Sequence, residues 1–541
     1  MCVICETKDA MELAGLERLE CRNCVELREI PKELVNLREL KCHYCINITE
    51  IPKELVKLEK VQCDGCSIVG IPKELVNLKE LVICNKKLSK TFLLPESLTS
   101  LTYLEIDRIP IKRIPKEFAN LKTLICKECP DFDTTSLPSS LEKLIFYGSF
   151  NKELCFKKRL CLPKKLVNLK ELRIWNSNRW DDMNKLIIPK EYVKLEELHC
   201  RLCQLSSIPK ELVNLKIIEL WNLKKIKEIP KEFINLEMID CRNCSNIKEI
   251  PRELVNLESI ELSCCDKIKE IPRELINLDS LRFPGCNKIK EIPREFVKLR
   301  FIDVCSKITE IPREFVELIH LDCSHSNITE IPREFVNLTY LNCRECIKMK
   351  KLPKELVELD YLDCFGTSIE YIPEYTKLAY LNCEHCPNLV SIGKNFVELD
   401  RLTCYMCPKL TEIPKELVKL RLLDIGNTNI KEIPKELVNL TELDCSECKG
   451  IKEIPKELVN LTELDCSHTS IKEIPKELVN LRKLTTDNCQ SITTIPELPK
   501  LTTYSFSDCP NLTYVHEDIE LNVAERKIIN ANYMKKTINI S

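Results

Sequence analysis

Residues 461–481 read LTELDCSHTSIKEIPKELVNL, and the same frame runs through nearly the whole chain. Counted from Leu461 as position 1, Leu464, Cys466, Thr469, Ile471, Ile474, Pro475 and Leu478 occupy positions 4, 6, 9, 11, 14, 15 and 18, and Leu481 begins the next unit. Apolar residues at 4 and 6 against polar ones at 3, 5 and 7 give the period of a short half-buried strand. Position 9 opens a turn and the next isoleucine closes it. Proline at 15 then sets the backbone and removes a donor, so the return is extended or irregular. About six residues remain before the next strand, room for a short 3₁₀ turn and too few for a long α-helix.

Outward from this unit, the proline landmark recurs from Pro31 to Pro496, 22 intervals in 465 residues with a mean of 21.1, and Gly393 stands where one proline is missing. Starting leucines run from Leu16 to Leu501 and define 24 units. Two lengths recur: a 20-residue form such as Thr428 with Ile430, and a 21-residue form such as Cys448 with Ile451. The added residue sits in the turn, where it leaves the strand's inner and outer faces unchanged. No unit can bury its leucines alone, so successive strands must stack in parallel at about 4.8 Å and cover one another.

The pattern resembles the leucine-rich repeat family, whose signature L-x-x-L-x-L-x-x-N/C-x-L is matched by Leu440-Leu443-Cys445-Cys448-Ile451 and Leu461-Leu464-Cys466-Thr469-Ile471, with cysteine often replacing the inward leucine. The resemblance spans Leu16 to Leu512. It implies an α/β solenoid: a leucine-rich repeat arc with a parallel concave sheet, short strands and mostly irregular or 3₁₀ convex segments. The short units at Leu94–Leu104 and Leu137–Leu144 are most similar to a bacterial-type subclass, and the lysine-, isoleucine- and asparagine-rich wording resembles repeat proteins of giant DNA viruses and protists. Family members bind protein partners through the curved face and share no single activity.

The expected division is a partial repeat or cap over 1–15, the solenoid over 16–512 with insertions near 148–162 and 175–189, and a cap or tail over 513–541. In residues 1–15, Cys2 and Cys5 imitate positions 6 and 9, and the second insertion carries Trp180 beside Arg179, Asp181 and Asp182.

Lys and Arg number 82 against 84 Asp and Glu, a formal charge of −2. That balance gives no support to wrapping nucleic acid, which calls for a basic surface. No apolar run reaches the roughly 18 residues a membrane helix needs, and residues 1–20 lack the features of a secretory signal. With 34 cysteines and no such signal, free thiols in a reducing compartment are expected: an intracellular, cytoplasmic protein, in the host cytoplasm on the viral reading. Asn-x-Thr triplets such as Asn337–Thr339 are then expected to stay unglycosylated.

Eleven Cys-x-x-Cys pairs imitate a zinc protein. The register argues for packing, since 13 cysteines fall at position 6 and 14 at position 9, and the position-6 column is also occupied by Ile106, Phe146, Ile174, Leu220, Leu262, Phe283 and Ile425. A site that accepts these groups asks for apolar volume. Cys42, Cys45, Cys63 and Cys66 remain the local test for a metal. No cofactor is expected, and neither a phosphate loop, a dinucleotide fingerprint nor a His-Glu-x-x-His motif occurs. The seven histidines are scattered without a repeated nucleophile, so a catalytic site is not expected.

Selectivity therefore belongs to positions 3, 5 and 7 of the strands. Position 7 supplies Tyr147, Trp175, Arg201, Trp221 and Arg242 in successive units. Position 3 supplies Phe301, His320, Tyr340, Tyr361 and Tyr380, and position 5 beside it supplies Asp303, Asp322 and Asp363, with Asn342 and Asn382 between. Aromatic and arginine side chains concentrate binding energy, and the acids select basic groups. The competing reading is that the rings brace one another across strands. The expected function is a noncovalent protein-binding scaffold or recognition subunit for a protein with basic groups; the alternative is the substrate-recognition component of a ubiquitin-ligase or signalling complex. The sequence leaves the oligomeric state open.

Overall fold

A computed structural model describes residues 15–85, 92–129, 132–148, 162–175, 185–516 and 519. Cys2, Cys5, the Trp180 cluster, the body of the insertion near 148–162 and all but a few residues of 513–541 lie outside the described residues. The chain divides into two units, Met1–Leu275 and Ile276–Ser541.

In the first unit, ten five-residue strands run from Arg18–Arg22 to Ile217–Trp221 and are followed by Met238–Asp240 and Ser259–Glu261. They pair in parallel with like positions opposed: Leu19 faces Leu40 and Cys21 faces Cys42. The second unit carries twelve three-residue strands from Ser280–Arg282 to Thr503–Ser505. There Leu443 faces Leu464, and Cys445 and Cys466 below them are fully buried. Leucines and isoleucines at positions 1, 4, 14 and 18 form the core in both units, with Phe118, Phe233, Phe315 and Phe335 taking position 18 in some turns. Burying one such side chain contributes about 1.5–3 kcal/mol, and only the neighbouring turns make that burial possible.

The expected α/β class and its 3₁₀ convex segments are not what the described residues form. They contain no α-helix, and their one 3₁₀ helix is Thr134–Ser136, outside the repeated return. Each return is instead two separate turns, as when Leu34 N–H donates to Pro31 (3.4 Å) and Leu37 N–H to Leu34 (2.9 Å). A 3₁₀ helix would need Val35 to bond three residues back, but its N–H turns to Glu33 at 2.7 Å. This tight three-residue turn breaks the ladder and points the valine out to solvent. The same bond recurs from Val56 to Glu54, Val316 to Glu314 and Val418 to Glu416. The fold is a parallel β-solenoid whose convex side is made of turns.

Side chains stitch neighbouring turns together. In many turns an asparagine before the starting leucine donates its amide to a carbonyl of the previous turn, often a valine's: Asn77 to Val56 at 2.9 Å, Asn439 to Val418 at 2.8 Å, Asn460 to Val438 at 2.9 Å. Where lysine takes that place it caps the row, Lys57 donating to the Asn36 oxygen at 2.7 Å and Lys500 to that of Asn480 at 2.7 Å. Gly393, at the missing proline, keeps an N–H that donates to Ile372 at 3.2 Å, beside the small parallel pair Tyr371–Ile372 and Ser391–Ile392.

Candidate functional site

Sheet alternation presents positions 3, 5 and 7 outward, as in the strand Glu171–Trp175, where Leu172 and Ile174 are buried and the other three half-buried. In the first unit the pairing aligns Tyr147 with Trp175, Trp175 with Arg201, and Arg201 with Trp221. Arg242 comes next, since its carbonyl accepts from Asn222 N–H at 2.8 Å. Tyr147 and Trp175 meet edge to face with centroids 4.6 Å apart. The Arg201 guanidinium lies 3.3 Å from the Trp221 ring centre and that of Arg242 5.1 Å away, so the indole is flanked by two cations.

Beside this column runs a charged row that the sequence did not single out. Arg173 bonds Glu171, and its other nitrogen reaches Glu197 at 3.2 Å. His199, 3% exposed, lies 3.1 Å from Glu197 and 2.7 Å from Glu219. The His199 hydrogen bond holds the Glu219 carboxyl below its usual range against the cost of burial. The signal was a run of ionisable residues at position 5, basic at Arg173 and His199 and acidic from Glu219 on, visible only once the register places Arg173, His199 and Glu219 side by side.

In the second unit, position 3 forms a continuous stack. His320 lies 4.2 Å from Tyr340 with planes 7° apart, Tyr340 4.5 Å from Tyr361 at 8°, and Tyr361 4.5 Å from Tyr380 at 1°. Phe301 closes the end, tilted and 6.2 Å from His320. The rings thus brace one another, as the competing reading expects, while remaining half-exposed apart from that contact. Burial raises the pKa of the Tyr340 and Tyr380 hydroxyls, which therefore stay neutral donors.

Position 5 follows beside the rings. Asp303 faces Asp322, Asp322 faces Asn342, Asn342 faces Asp363, and Asp363 faces Asn382. These side chains also end their strands: Asp322 accepts from Ser324 N–H at 2.9 Å, Asn342 from Arg344 at 3.1 Å and Asp363 from Phe365 at 3.0 Å. Asp303 is already engaged by Arg282 at 3.4 Å and His320 at 3.3 Å. The acid row resumes at Asp424, Asp444 and Asp465, which face one another on successive strands. Burial lifts the carboxyl of Asp424 to about 6 and raises that of Asp444.

The cysteine columns are built for packing and for weak hydrogen bonds between turns. At position 9, the Cys66 thiol donates to Cys42 O at 3.1 Å, Cys407 to Cys383 O at 2.9 Å and Cys448 to Ile425 O at 2.9 Å. Threonine at that position reaches its own turn instead, Thr428 to Ile425 O at 2.7 Å, and meets the next thiol, that of Cys448, at 3.3 Å. Burial pushes the Cys129 thiol up to about 12, whereas hydrogen bonds with Cys323 and Cys466 bring the thiols of Cys346 and Cys489 down to about 7 and about 6, so the column does not share one protonation preference. Among the described residues, no group of three or more His, Cys, Asp or Glu side chains is arranged to hold a metal ion. No described helix is long and apolar enough to cross a membrane.

No family model and no curated protein matches the chain. Solved structures similar to it include the Arabidopsis receptor kinase HAESA in complex with the peptide hormone IDA and the co-receptor SERK1 (20% identity, 87% of this chain and 89% of that one, TM-score 0.48). YopM from Yersinia enterocolitica is another (20% identity, 82% and 90%, TM-score 0.47). A third is the plant peptide hormone receptor RGFR1 in complex with RGF2 (20% identity, 96% and 95%, TM-score 0.44). With its inward leucines in register from turn to turn, the chain is a leucine-rich-repeat-like parallel β-solenoid.

Proposed function

We propose that this protein is a noncovalent protein-binding solenoid, a scaffold or recognition subunit working inside the cell, that receives a basic segment of a partner on the outer sheet face of its second unit. One observation carries the reading: four rings from His320 to Tyr380 stack without a break, with Asp322 and Asp363 alongside. Stacking holds the rings rigid before any partner arrives, which lowers the ordering cost of binding. Their outer edges supply apolar contact and hydroxyl donors, and the acids attract lysine or arginine while repelling polyanions. The buried thiols that donate to carbonyls support a reducing compartment.

A fluorescent peptide of alternating arginine and leucine tests this. It is expected to bind saturably, to weaken as salt is raised, and to lose at least about tenfold in affinity, roughly 1.4 kcal/mol, on the double substitution Tyr340→Ala, Tyr361→Ala. Equal binding by that variant, with its circular dichroism unchanged, rejects the reading.

A further inference from the structure

The first unit's sheet face carries a charge of the opposite sign that the described residues leave unused. Most arginines on or beside the strands have an acid: Arg18 has Glu20 and Glu39, Arg173 has Glu171 and Glu197, Arg242 has Asp240. Arg201 does not. Among the described residues its guanidinium makes no hydrogen bond or ion pair, and it stacks on Trp221 at 3.3 Å. The nearby carboxylates are engaged elsewhere, Glu197 by Arg173 and His199, Glu219 by His199, and Asp240 by Arg242. Partial burial, and then repulsion from Arg242, lower the pKa of Arg201, so the cation is held there at a cost.

Stacking leaves the in-plane edge of a guanidinium open, and that edge carries the paired donors that match a carboxylate. On the adjacent strand, in register with Arg201, stands Trp175 with Tyr147 against it, a rigid aromatic surface for an apolar group. We propose that Arg201, seated on Trp221, receives a carboxylate side chain of an acidic peptide segment, and that an apolar side chain of the same segment rests on Trp175. Arg242, already neutralised by Asp240, acts as a positioning residue by holding the far face of the indole. The site lies in the first unit and stands independently of the ring stack in the second.

The probe is a fluorescent peptide of alternating glutamate and phenylalanine, measured by anisotropy against the full chain. Wild type is expected to bind saturably. Arg201→Ala is expected to lose tenfold or more. Arg201→Lys keeps the charge and removes the paired donors, and is expected to lose several-fold; Trp221→Phe, which keeps a ring beneath the cation, is expected to lose less than Arg201→Ala. Thermal unfolding and circular dichroism report whether each variant is folded. Unchanged affinity in folded Arg201→Ala overturns the proposal, as does no binding by wild type. Complete displacement by inorganic phosphate at the peptide's own concentration also overturns it, because the site would then read charge alone. The Tyr340→Ala, Tyr361→Ala variant is expected to bind this probe like wild type, so failure here leaves the second-unit reading intact.

Discussion

At the scale of single residues, position 8 shows what the stack imposes on its members. Asn23, Tyr44, Glu128, Leu202, Cys264, His325, Glu345, Met406 and Glu447 all hold a positive φ between 51° and 59° there. Glycine does the same at Gly65, Gly285 and Gly366. A left-handed backbone costs an ordinary residue roughly 1–2 kcal/mol and asparagine less. The cost is met because most of these residues send their N–H to the next turn, as Glu447 does to Ser467 at 2.8 Å. Glu447 is exposed, so Glu447→Asn is expected to raise stability by about 0.5 kcal/mol and the β-branched Glu447→Val to lower it by about 1 kcal/mol. Denaturant unfolding of both decides, and equal midpoints would mean the handedness is not strained. Nothing at position 8 announced this, because its residue types are as varied as a surface column allows. The sign of φ there follows from where the neighbouring carbonyl stands.

At the scale of the strand, position 5 bears on length without deciding it alone. Strands with Glu20, Lys41, Val82, Ile125 or Arg173 at that place run five residues and those with Asp240, Asp322, Asn342 or Asp444 stop at three, but so do those with Glu261, Arg282 or Thr403. A short carboxylate or amide captures the N–H two residues on and ends the run. The inward and outward faces, the starting leucines and the parallel register were all legible as spacing. This capture was not, since an aspartate column reads equally well as a solvated or a binding row, and it proves also to be a set of caps. The convex 3₁₀ segments were misread for a similar reason: the leucine spacing allows either form, and the choice rests on one valine N–H. Asp424 offers a test. Its folded pKa of about 6 exceeds the unfolded value of about 3.9, so the folded state favours the protonated acid. That advantage is present below the unfolded pKa and is lost as pH rises from about 4 through 6. Asp424→Asn keeps an acceptor for Gly426 N–H, now at 3.0 Å, and removes the charge. Above pH ~6 it is expected to stabilise by on the order of 1 kcal/mol, discounted for partial solvent contact, and to flatten the fall in melting temperature across that window. An unaltered pH profile would rule out burial of the charge as its cause.

At the scale of the molecule, each unit's strands bond only to their immediate neighbours, so stability should approximate a sum of turns and interfaces. Removing residues 420–439, one whole period in the second unit, is expected to leave the circular dichroism per residue unchanged and to lower the melting temperature by only a few degrees, consistent with loss of one repeat. Removing 420–429 shifts the frame by half a period and is expected to abolish cooperative unfolding; equal tolerance of both deletions would contradict the stacked register. The candidate sites divide in the same way. Their member residues were visible as columns, but the pairing of charges was not: Arg201 is distinguished from Arg173 and Arg242 only by which carboxylates its neighbours had already claimed.

The sulfur rows have a practical side. Thiols lie buried in most turns of both units, from Cys21 to Cys509, and each is sealed only while its neighbours stay closed. A brief pulse of an alkylating reagent followed by peptide mass mapping would therefore tag whichever turns had opened. The protein carries its own set of numbered gauges for where along its length unravelling begins.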